Sequence, residues 1–303
     1  MRVWLTGGNG LLGRAIRRQA GGGITLIAPA RAELDLTDRA AVAAWLVANP
    51  VDAVIHAAAR VGGIAANIAD PAGFLTDNLR MNDAVITGAA AAGVGRLLFI
   101  GSSCVYPRDY RQPLVEADLM AAPLEPTNEG YALAKLAGIR LCDYLSGSGR
   151  AYRTLIPCNL FGVDDHFGQP GAHLLAAAIH KVLTAQASGA DTVQIWGSGQ
   201  ARREFLDADH LARFVLDALP RLADLPPVLN TGAGGDRSVS EWYALVAELA
   251  GWGGRFTHDL TRPEGMRAKL ISSALAAGHG YAPPADIRPA LSRAISACRE
   301  RMT

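Results

Sequence analysis

The sequence predicts an α/β fold in which a doubly wound parallel sheet is joined to a smaller second α/β domain. Short apolar runs alternate with longer amphipathic stretches through the first half of the chain, which is typical of β-α-β units. After Phe161 this alternation becomes irregular, which indicates that a second domain begins there. The length of 303 residues is enough for two such domains.

The expected elements follow from apolar periodicity and segment length. In the first half we predict strands at residues 3–5, 25–28, 53–56, 97–100 and 154–157, linked by crossover helices at 11–19, 40–48, 77–92 and 131–145. In the second half we predict a loop at 168–171, helices at 174–186 and 205–219, and strands at 193–196 and 228–231. We assign residues 1–160 and 206–234 to the sheet domain, and residues 161–205 and 235–303 to the smaller domain.

The composition excludes several classes of protein. Half of the residues are apolar and 19% are charged, which is globular, and no apolar stretch reaches the roughly 20 residues of a membrane span. The net charge of +1 gives no electrostatic footprint for nucleic acid or anionic lipid, so we expect small-molecule partners. The sequence runs from Arg2 straight into a strand and leaves no room for a leader peptide, so we expect a cytoplasmic protein.

Cysteine and histidine spacing predicts neither a disulfide framework nor a metal site. The four cysteines are widely spaced and form no C-x-x-C motif. His166, His173 and His180 recur every seven residues, which on a helix separates them by ~10 Å, too far to share one ion. Cys142 and Cys158 are interpreted as packing residues.

A glycine motif directly follows the first predicted strand. Gly7, Gly10 and Gly13 form G-x-x-G-x-x-G between a strand and a helix, the context that a dinucleotide-binding (Rossmann) motif requires. The first two glycines allow a tight turn close to a pyrophosphate, and the helix N-terminus offers unpaired N–H groups to its oxygens. An ordinary glycine-rich turn is the alternative. The expected cofactor-binding residues here are Gly7, Asn9, Gly10, Leu11, Leu12 and Gly13.

The end of the second predicted strand favours NADP over NAD. An NAD-binding chain often places a carboxylate there for the ribose diol, but residues 28–31 read Ala-Pro-Ala-Arg. The guanidinium of Arg31 can instead bind a 2′-phosphate, although a solvated surface arginine is the competing interpretation.

Two further segments carry groups suited to acid–base chemistry at a ketone. Tyr131 and Lys135 lie four residues apart on one face of a predicted helix, and the ammonium is expected to lower the pKa of the phenol. Ser102 follows the strand at 97–100, at the carboxyl edge where open α/β sheets bind ligands, and can donate to a carbonyl. In an extended chain Cys104 points to the same side as Ser102.

With these motifs in place, the chain resembles the GDP-L-fucose synthase family, the epimerase–reductase branch of the extended short-chain dehydrogenases. The resemblance covers nearly the whole chain. It is carried by the glycine loop, the Tyr131/Lys135 pair and six further segments, at residues 61–64, 101–107, 125–128, 159–162, 196–199 and 203–205.

The resemblance implies a role for each matching residue. Ser102, Tyr131 and Lys135 would form the reductase triad, and Cys104 and His173 would remove and return protons at carbons 3 and 5 of the sugar. It also implies NADP(H) as cofactor, with Ala57, Lys135 and His173 among the residues that bind it. The residues expected to bind the nucleotide sugar are Lys181, Trp196, Arg203 and Lys269. The sequence departs from the family pattern at Asn9, where some relatives have arginine, and at Ala176, usually proline.

The implied reaction converts GDP-4-keto-6-deoxy-mannose to GDP-L-fucose by 3,5-epimerisation and NADPH-dependent reduction. A reductase of a related GDP-4-keto sugar, such as a heptose or another deoxyhexose, is the first alternative. A non-catalytic NADP sensor is the second, although the intact triad argues against it. The apolar faces of the helices at 77–92 and 131–145 predict a homodimer.

Overall fold

The computed structural model describes residues 1–169, 172–262 and 265–302, and its centre is a six-stranded parallel sheet. The strand order is β2-β1-β3-β4-β5-β10, with every neighbouring pair parallel. The order reverses direction between β1 and β3, which is the doubly wound arrangement that the sequence predicts.

The described residues form twelve strands and ten α-helices. The strands are β1 Arg2–Thr6, β2 Thr25–Ile27, β3 Ala53–His56, β4 Arg96–Ile100, β5 Ala151–Pro157, β6 Asn159–Phe161, β7 Thr192–Trp196, β8 Arg202–Arg203, β9 Phe205–Asp207, β10 Val228–Thr231, β11 Arg237–Ser238 and β12 Arg255–Asp259. The helices are α1 Leu11–Gln19, α2 Arg39–Ala48, α3 Ile64–Ala69, α4 Pro71–Ala91, α5 Glu129–Leu145, α6 Leu174–Ser188, α7 Ala208–Ala218, α8 Val239–Ala250, α9 Ala274–Ala277 and α10 Arg288–Met302.

The central strands are apolar along their whole length because helices cover both faces of the sheet. Strand β3 is buried at all four positions, and β1 and β4 are exposed only at their first residue. On the helical side α4 packs along both α2 and α5, while α1 packs along α7. Strand β4 and helix α5, which precede or carry the catalytic candidates, therefore pack against the buried core.

A polar chain runs through this core from the glycine loop to α5. The Thr6 hydroxyl lies 2.7 Å from Nδ1 of His56, whose Nε2 lies 3.1 Å from the Asn82 side-chain oxygen. Asn82 in turn donates to the main-chain oxygen of Ala134 on α5. Burial, with repulsion from Lys135, lowers the pKa of His56 to about 3, so this imidazole is neutral and serves as a hydrogen-bonding link.

The buried apolar residues form two clusters. The larger cluster surrounds the sheet and includes Ile271, Ala276 and Tyr281 from the last part of the chain. The smaller cluster joins α6, α8 and α10 with β7, β9 and β12. Residues 271–281, assigned to the smaller domain on sequence grounds, thus pack on the sheet core. The predicted domain boundaries stay a prediction.

Two predicted helices differ at their first residues. The helix predicted at 205–219 begins as β9, Phe205–Asp207, which pairs with β6, and only then continues as α7. The helix predicted at 77–92 starts earlier, at Pro71, with the Asp70 side chain accepting from Gly73 N–H as its cap. A strand needs a pairing partner and a cap needs local geometry, and neither is visible in apolar periodicity.

No helix within the described ranges has the length and apolar character needed to cross a membrane.

Candidate active site

The glycine loop between β1 and α1 adopts a conformation that needs its glycines. Gly7 has a positive φ of 73°, and a Cβ there would lie 2.8 Å from backbone atoms of Ala58. A Cβ on Gly13 would collide with the Gly7 carbonyl and come within 2.7 Å of the Gly8 Cα. Gly13 therefore lets the first turns of α1 pack closely on the glycine loop.

The N-terminus of α1 fits the pyrophosphate of a dinucleotide. Its capping residue is Gly10, which has no side chain to occupy the first N–H groups of the helix. Those N–H groups, from Leu11 onward, sit at the positive end of the helix dipole. The backbone of Ala57, after β3, lies against Gly7 and forms the opposite wall of the same loop. These residues therefore fit the predicted cofactor.

Asn9, within this loop, and Arg31 are two predicted cofactor residues that are exposed. The Asn9 side-chain oxygen accepts from Arg17 at 3.1 Å, and its carbonyl accepts from Arg14 at 2.9 Å. Arg31 is exposed after β2, where its guanidinium is accessible to a ligand phosphate. The structure therefore places Arg31 at the predicted strand end without assigning it a role.

Ser102 and Cys104 come together at the end of β4, but through a different geometry from the one expected. Residues Ser103–Val105 form a 3₁₀ turn instead of an extended segment. The Ser102 hydroxyl caps this turn by accepting from the Cys104 N–H at 3.3 Å. The turn, rather than strand alternation, therefore holds the hydroxyl and the thiol at one site.

Tyr131 joins this site from α5. A hydrogen bond with Ser102 favours its phenolate, but burial and the nearby Cys104 thiol together raise its pKa well above the ordinary value, with burial the larger cause. The prediction that Lys135 lowers the pKa of Tyr131 is therefore wrong. The phenol stays protonated at neutral pH, which is the form a proton donor requires.

Lys135 is buried one turn along α5. Its Nζ donates to the main-chain oxygen of Ile100 at 2.8 Å and lies 4.7 Å from the Phe99 ring centroid and 5.8 Å from that of Tyr131. Burial lowers the pKa of this ammonium to about 7, against the opposing attraction of the Cys104 and Cys142 thiols. Lys135 is thus fixed between the strand end and the phenol.

Cys104 is surrounded by hydrogen-bond donors. Its Sγ accepts from Asn128 Nδ2 at 3.2 Å and lies 3.5 Å from Lys269 Nζ. Burial acts to raise the thiol pKa, but attraction by Lys269, a hydrogen bond with Ser102 and attraction by Arg203 together hold it below its ordinary value. The three remaining cysteines are buried, and burial raises their pKa values, which agrees with the packing roles predicted for Cys142 and Cys158.

His173 caps α6 on the other side of the cleft. The residue is exposed, but the surrounding protein desolvates its ring, which lowers the pKa against the attraction of Asp165, with His166 and Lys269 adding repulsion. Lys269 therefore interacts electrostatically with both proposed acid–base residues. Residues 170 and 171 of the predicted loop lie outside the described residues.

The four predicted substrate residues fall into two groups. Arg203 and Lys269 lie at the Cys104 end, and Arg203 donates to the main-chain oxygens of Arg202 and Met266, each at 2.7 Å. Lys181 and Trp196 form the second group, with the lysine Nζ 5.1 Å from the indole centroid. The indole is 53% exposed, so it offers a surface to a ligand.

Sequence reasoning gave no individual role to three residues of this region. Asn128 donates to Cys104, as described above. Arg262 places its guanidinium carbon 4.8 Å from the Trp196 centroid, so that two cations flank this ring. Glu204, fully buried, accepts from the N–H groups of Ala233, Gly234 and Ile271. Asn128 and Glu204 lie in segments that carried the resemblance, but only a fold can reveal their partners.

Comparison with known proteins places this site in a family. The model of the NAD dependent epimerase/dehydratase family matches residues 3–232. A GDP-L-fucose synthase of Azorhizobium caulinodans is 43% identical over 93% of this chain and 91% of that protein. A GDP-L-colitose synthase of Yersinia pseudotuberculosis is 38% identical over 97% and 96%, respectively.

Among solved structures, the GDP-mannoheptose C4 reductase MlghC from Campylobacter jejuni, with NADP bound, superposes with a TM-score of 0.88. It is 26% identical, and the match covers 98% of each chain. The shared fold agrees with the parallel sheet and glycine loop described above, and the family model spans most of the chain. The chain therefore belongs to the NAD dependent epimerase/dehydratase family.

Proposed function

We propose that this protein is a GDP-L-fucose synthase, which converts GDP-4-keto-6-deoxy-mannose to GDP-L-fucose by epimerisation at carbons 3 and 5 and reduction at carbon 4. The observation that carries the proposal is the convergence of Ser102, Tyr131 and Lys135 with the Cys104 thiol at the carboxyl end of β4. The similarity to GDP-L-fucose synthases over most of the chain supports the substrate.

The cofactor is NADP(H), bound along the carboxyl edge of the sheet. The uncapped N-terminus of α1 would hold the pyrophosphate and Arg31 the 2′-phosphate. Lys135 would hydrogen-bond the ribose next to the nicotinamide, and Ala57 and His173 would line the same cleft. Bound NADPH supplies the hydride for the reduction.

Tyr131 is the proton donor for the reduction. Its raised pKa keeps a proton on the phenol, which passes to the carbon-4 oxygen as that oxygen gains negative charge. Ser102 donates a hydrogen bond to the same oxygen. Together the two hydroxyls would stabilise the enolate that forms during epimerisation, because the charge resides on this oxygen in both steps.

Cys104 and His173 perform the proton transfers at carbons 3 and 5. Both carbons flank the ketone, so their C–H bonds are acidified while Ser102 and Tyr131 polarise the carbonyl. The Cys104 thiolate would accept a proton from one face of the sugar, and His173 would return one to the other face.

A reductase of a related GDP-4-keto sugar is the second candidate. It is favoured by the GDP-L-colitose synthase relative and the GDP-mannoheptose C4 reductase structure, whose names give sugars other than fucose. We further propose a cytoplasmic homodimer, with the α4 and α5 faces forming the subunit contact.

The test is incubation of the purified protein with GDP-4-keto-6-deoxy-mannose and NADPH in deuterated water. We expect NADPH oxidation and deuterium at carbons 3 and 5 of the product, read by NMR. Reduction without deuterium would point to a simple 4-reductase, whereas neither signal would reject the proposal.

A further inference from the structure

Lys269 is a buried cation with an unusual partner. Its side chain is only 7% exposed, and within residues 1–169, 172–262 and 265–302 the polar atom that it contacts is Cys104 Sγ, at 3.5 Å. No carboxylate in those ranges forms an ion pair with it. A buried ammonium is costly unless an anion or several acceptors compensate it.

The main chain holds Lys269 firmly in this place. The next residue, Leu270, donates its N–H to the Gln112 side chain at 2.7 Å and accepts from Leu114 N–H at 2.8 Å. The Ile271 N–H donates to the Glu204 carboxyl at 3.2 Å. The two residues directly after Lys269 are therefore fixed by three hydrogen bonds, and the fold holds the ammonium at the thiol.

We propose that Lys269 is the counter-ion of a resting Cys104 thiolate, so that the site holds its base in the ionised form before any sugar binds. Its catalytic meaning rests on the proposed function, in which Cys104 removes the carbon-bound protons. Lys269 is then a positioning residue for the base, a role distinct from the sugar-binding role that the sequence suggested.

Most of the other groups around the Cys104 sulfur also favour its thiolate form. Asn128 donates to Sγ at 3.2 Å, and Arg203 and Lys135 are cations whose fields reach the thiol. Tyr131 is the acidic group facing it, and it stays neutral because its own pKa is raised. The pKa of Cys104 is accordingly held low despite burial, with Lys269 the largest favourable contribution.

The test is the pH dependence of Cys104 alkylation by iodoacetamide in the intact protein, located by mass spectrometry. The thiolate is the reacting form, so the rate follows its ionisation. We expect a midpoint below the ordinary value of about 8.5. Lys269→Met should raise it by about one pH unit, which is about tenfold less thiolate at neutral pH. Lys269→Arg should largely preserve the low midpoint, because the charge remains.

Lys181→Met is the matched control, since it removes a lysine that contacts Trp196 instead of Cys104. Its midpoint should equal that of the unmodified chain. An ordinary midpoint in the unmodified chain, or an unchanged midpoint in Lys269→Met with native circular dichroism, would overturn the proposal. Should Lys269→Met not fold, the unmodified chain and Lys269→Arg still decide it. No sugar is present, so the titration and the deuterium experiment can fail independently.

Discussion

Lys135 Nζ donates a 2.8 Å hydrogen bond to the carbonyl of Ile100, the last residue of β4. Ser102 follows two residues later, and Tyr131 lies one helical turn before the lysine. One buried ammonium therefore fixes the distance between the strand that carries the hydroxyl and the helix that carries the phenol. The predictions for the site depend on this fixed arrangement.

Tyr131→Phe should abolish reduction and leave cofactor binding intact, because the phenol supplies a proton and the ring fills the same space. The rate of NADPH oxidation measures reduction, and a fluorescence titration with NADPH measures cofactor binding. General acids contribute roughly 10²–10⁴-fold to the rate. Tyr144→Phe, at an exposed position of the same helix, is the control and should keep full turnover. Equal activity in both variants would show that the acid is misassigned.

Cys104→Ser should impair proton exchange at carbons 3 and 5 more than hydride transfer, because serine is a far weaker base but leaves the reductase groups in place. NMR of the product formed in deuterated water separates the two steps. Tyr131→Phe should show the reverse balance, with reduction lost and exchange slowed less, because Ser102 still stabilises the enolate. If both variants lost both steps equally, the division of labour would be wrong.

Arg31→Ala should raise KM for NADPH by roughly tenfold, since a charged hydrogen bond to a phosphate contributes about 1.5–3 kcal/mol. The KM for NADH should change little, because NADH has no 2′-phosphate. Steady-state kinetics with both cofactors provide the measurement. Arg39→Ala, at an exposed site on α2, is the control. An equal effect on NADPH and NADH would remove Arg31 from the cofactor site.

Glu204 should make the protein less stable as pH rises through the range from about 4.5 to 7. Burial raises its pKa from 4.5 to about 7, although three backbone N–H groups oppose the shift. The folded state therefore binds the proton more tightly than the unfolded state. The stability that this protonation contributes is complete below pH 4.5 and is lost as the pH rises to about 7. The shift corresponds to about 3 kcal/mol.

Urea unfolding at several pH values tests this for the unmodified chain and for Glu204→Gln, which cannot titrate. The difference in unfolding free energy between the two proteins should change across this pH window. Glu248→Gln, at an exposed residue that pairs with Arg288, should leave the profile parallel to that of the unmodified chain. Parallel profiles for Glu204→Gln would contradict the assignment.

The proposed dimer predicts that a charge on the outer face of α5 separates the subunits. Leu133 and Tyr144 are 43% and 75% exposed and lie eleven residues apart, close to three helical turns, so they share one face. Leu133→Asp combined with Tyr144→Asp should convert a dimer to a monomer in light scattering. Val47→Asp, at an exposed residue on α2, should not. A monomeric unmodified chain would contradict the proposal directly.

The sequence predicted what depends on local pattern and missed what depends on distant partners. Alternating strands and helices and the glycine loop follow from periodicity and turn chemistry, and the sheet order confirms the doubly wound class. The strand at Phe205–Asp207 was missed because it exists through its pairing with β6. The pKa of Tyr131 was predicted in the wrong direction because burial, the largest cause, raises it and outweighs the hydrogen bond with Ser102.

The contact between Lys269 and Cys104 joins residues separated by 165 positions, and this has a consequence for refolding. All six strands of the parallel sheet precede Lys269 in the chain. The thiolate gains its cation only when the segment around Lys269 docks beside Leu114. The low alkylation midpoint of Cys104 should therefore return during refolding only after this segment has docked, whereas most of the far-ultraviolet signal comes from helices that precede it.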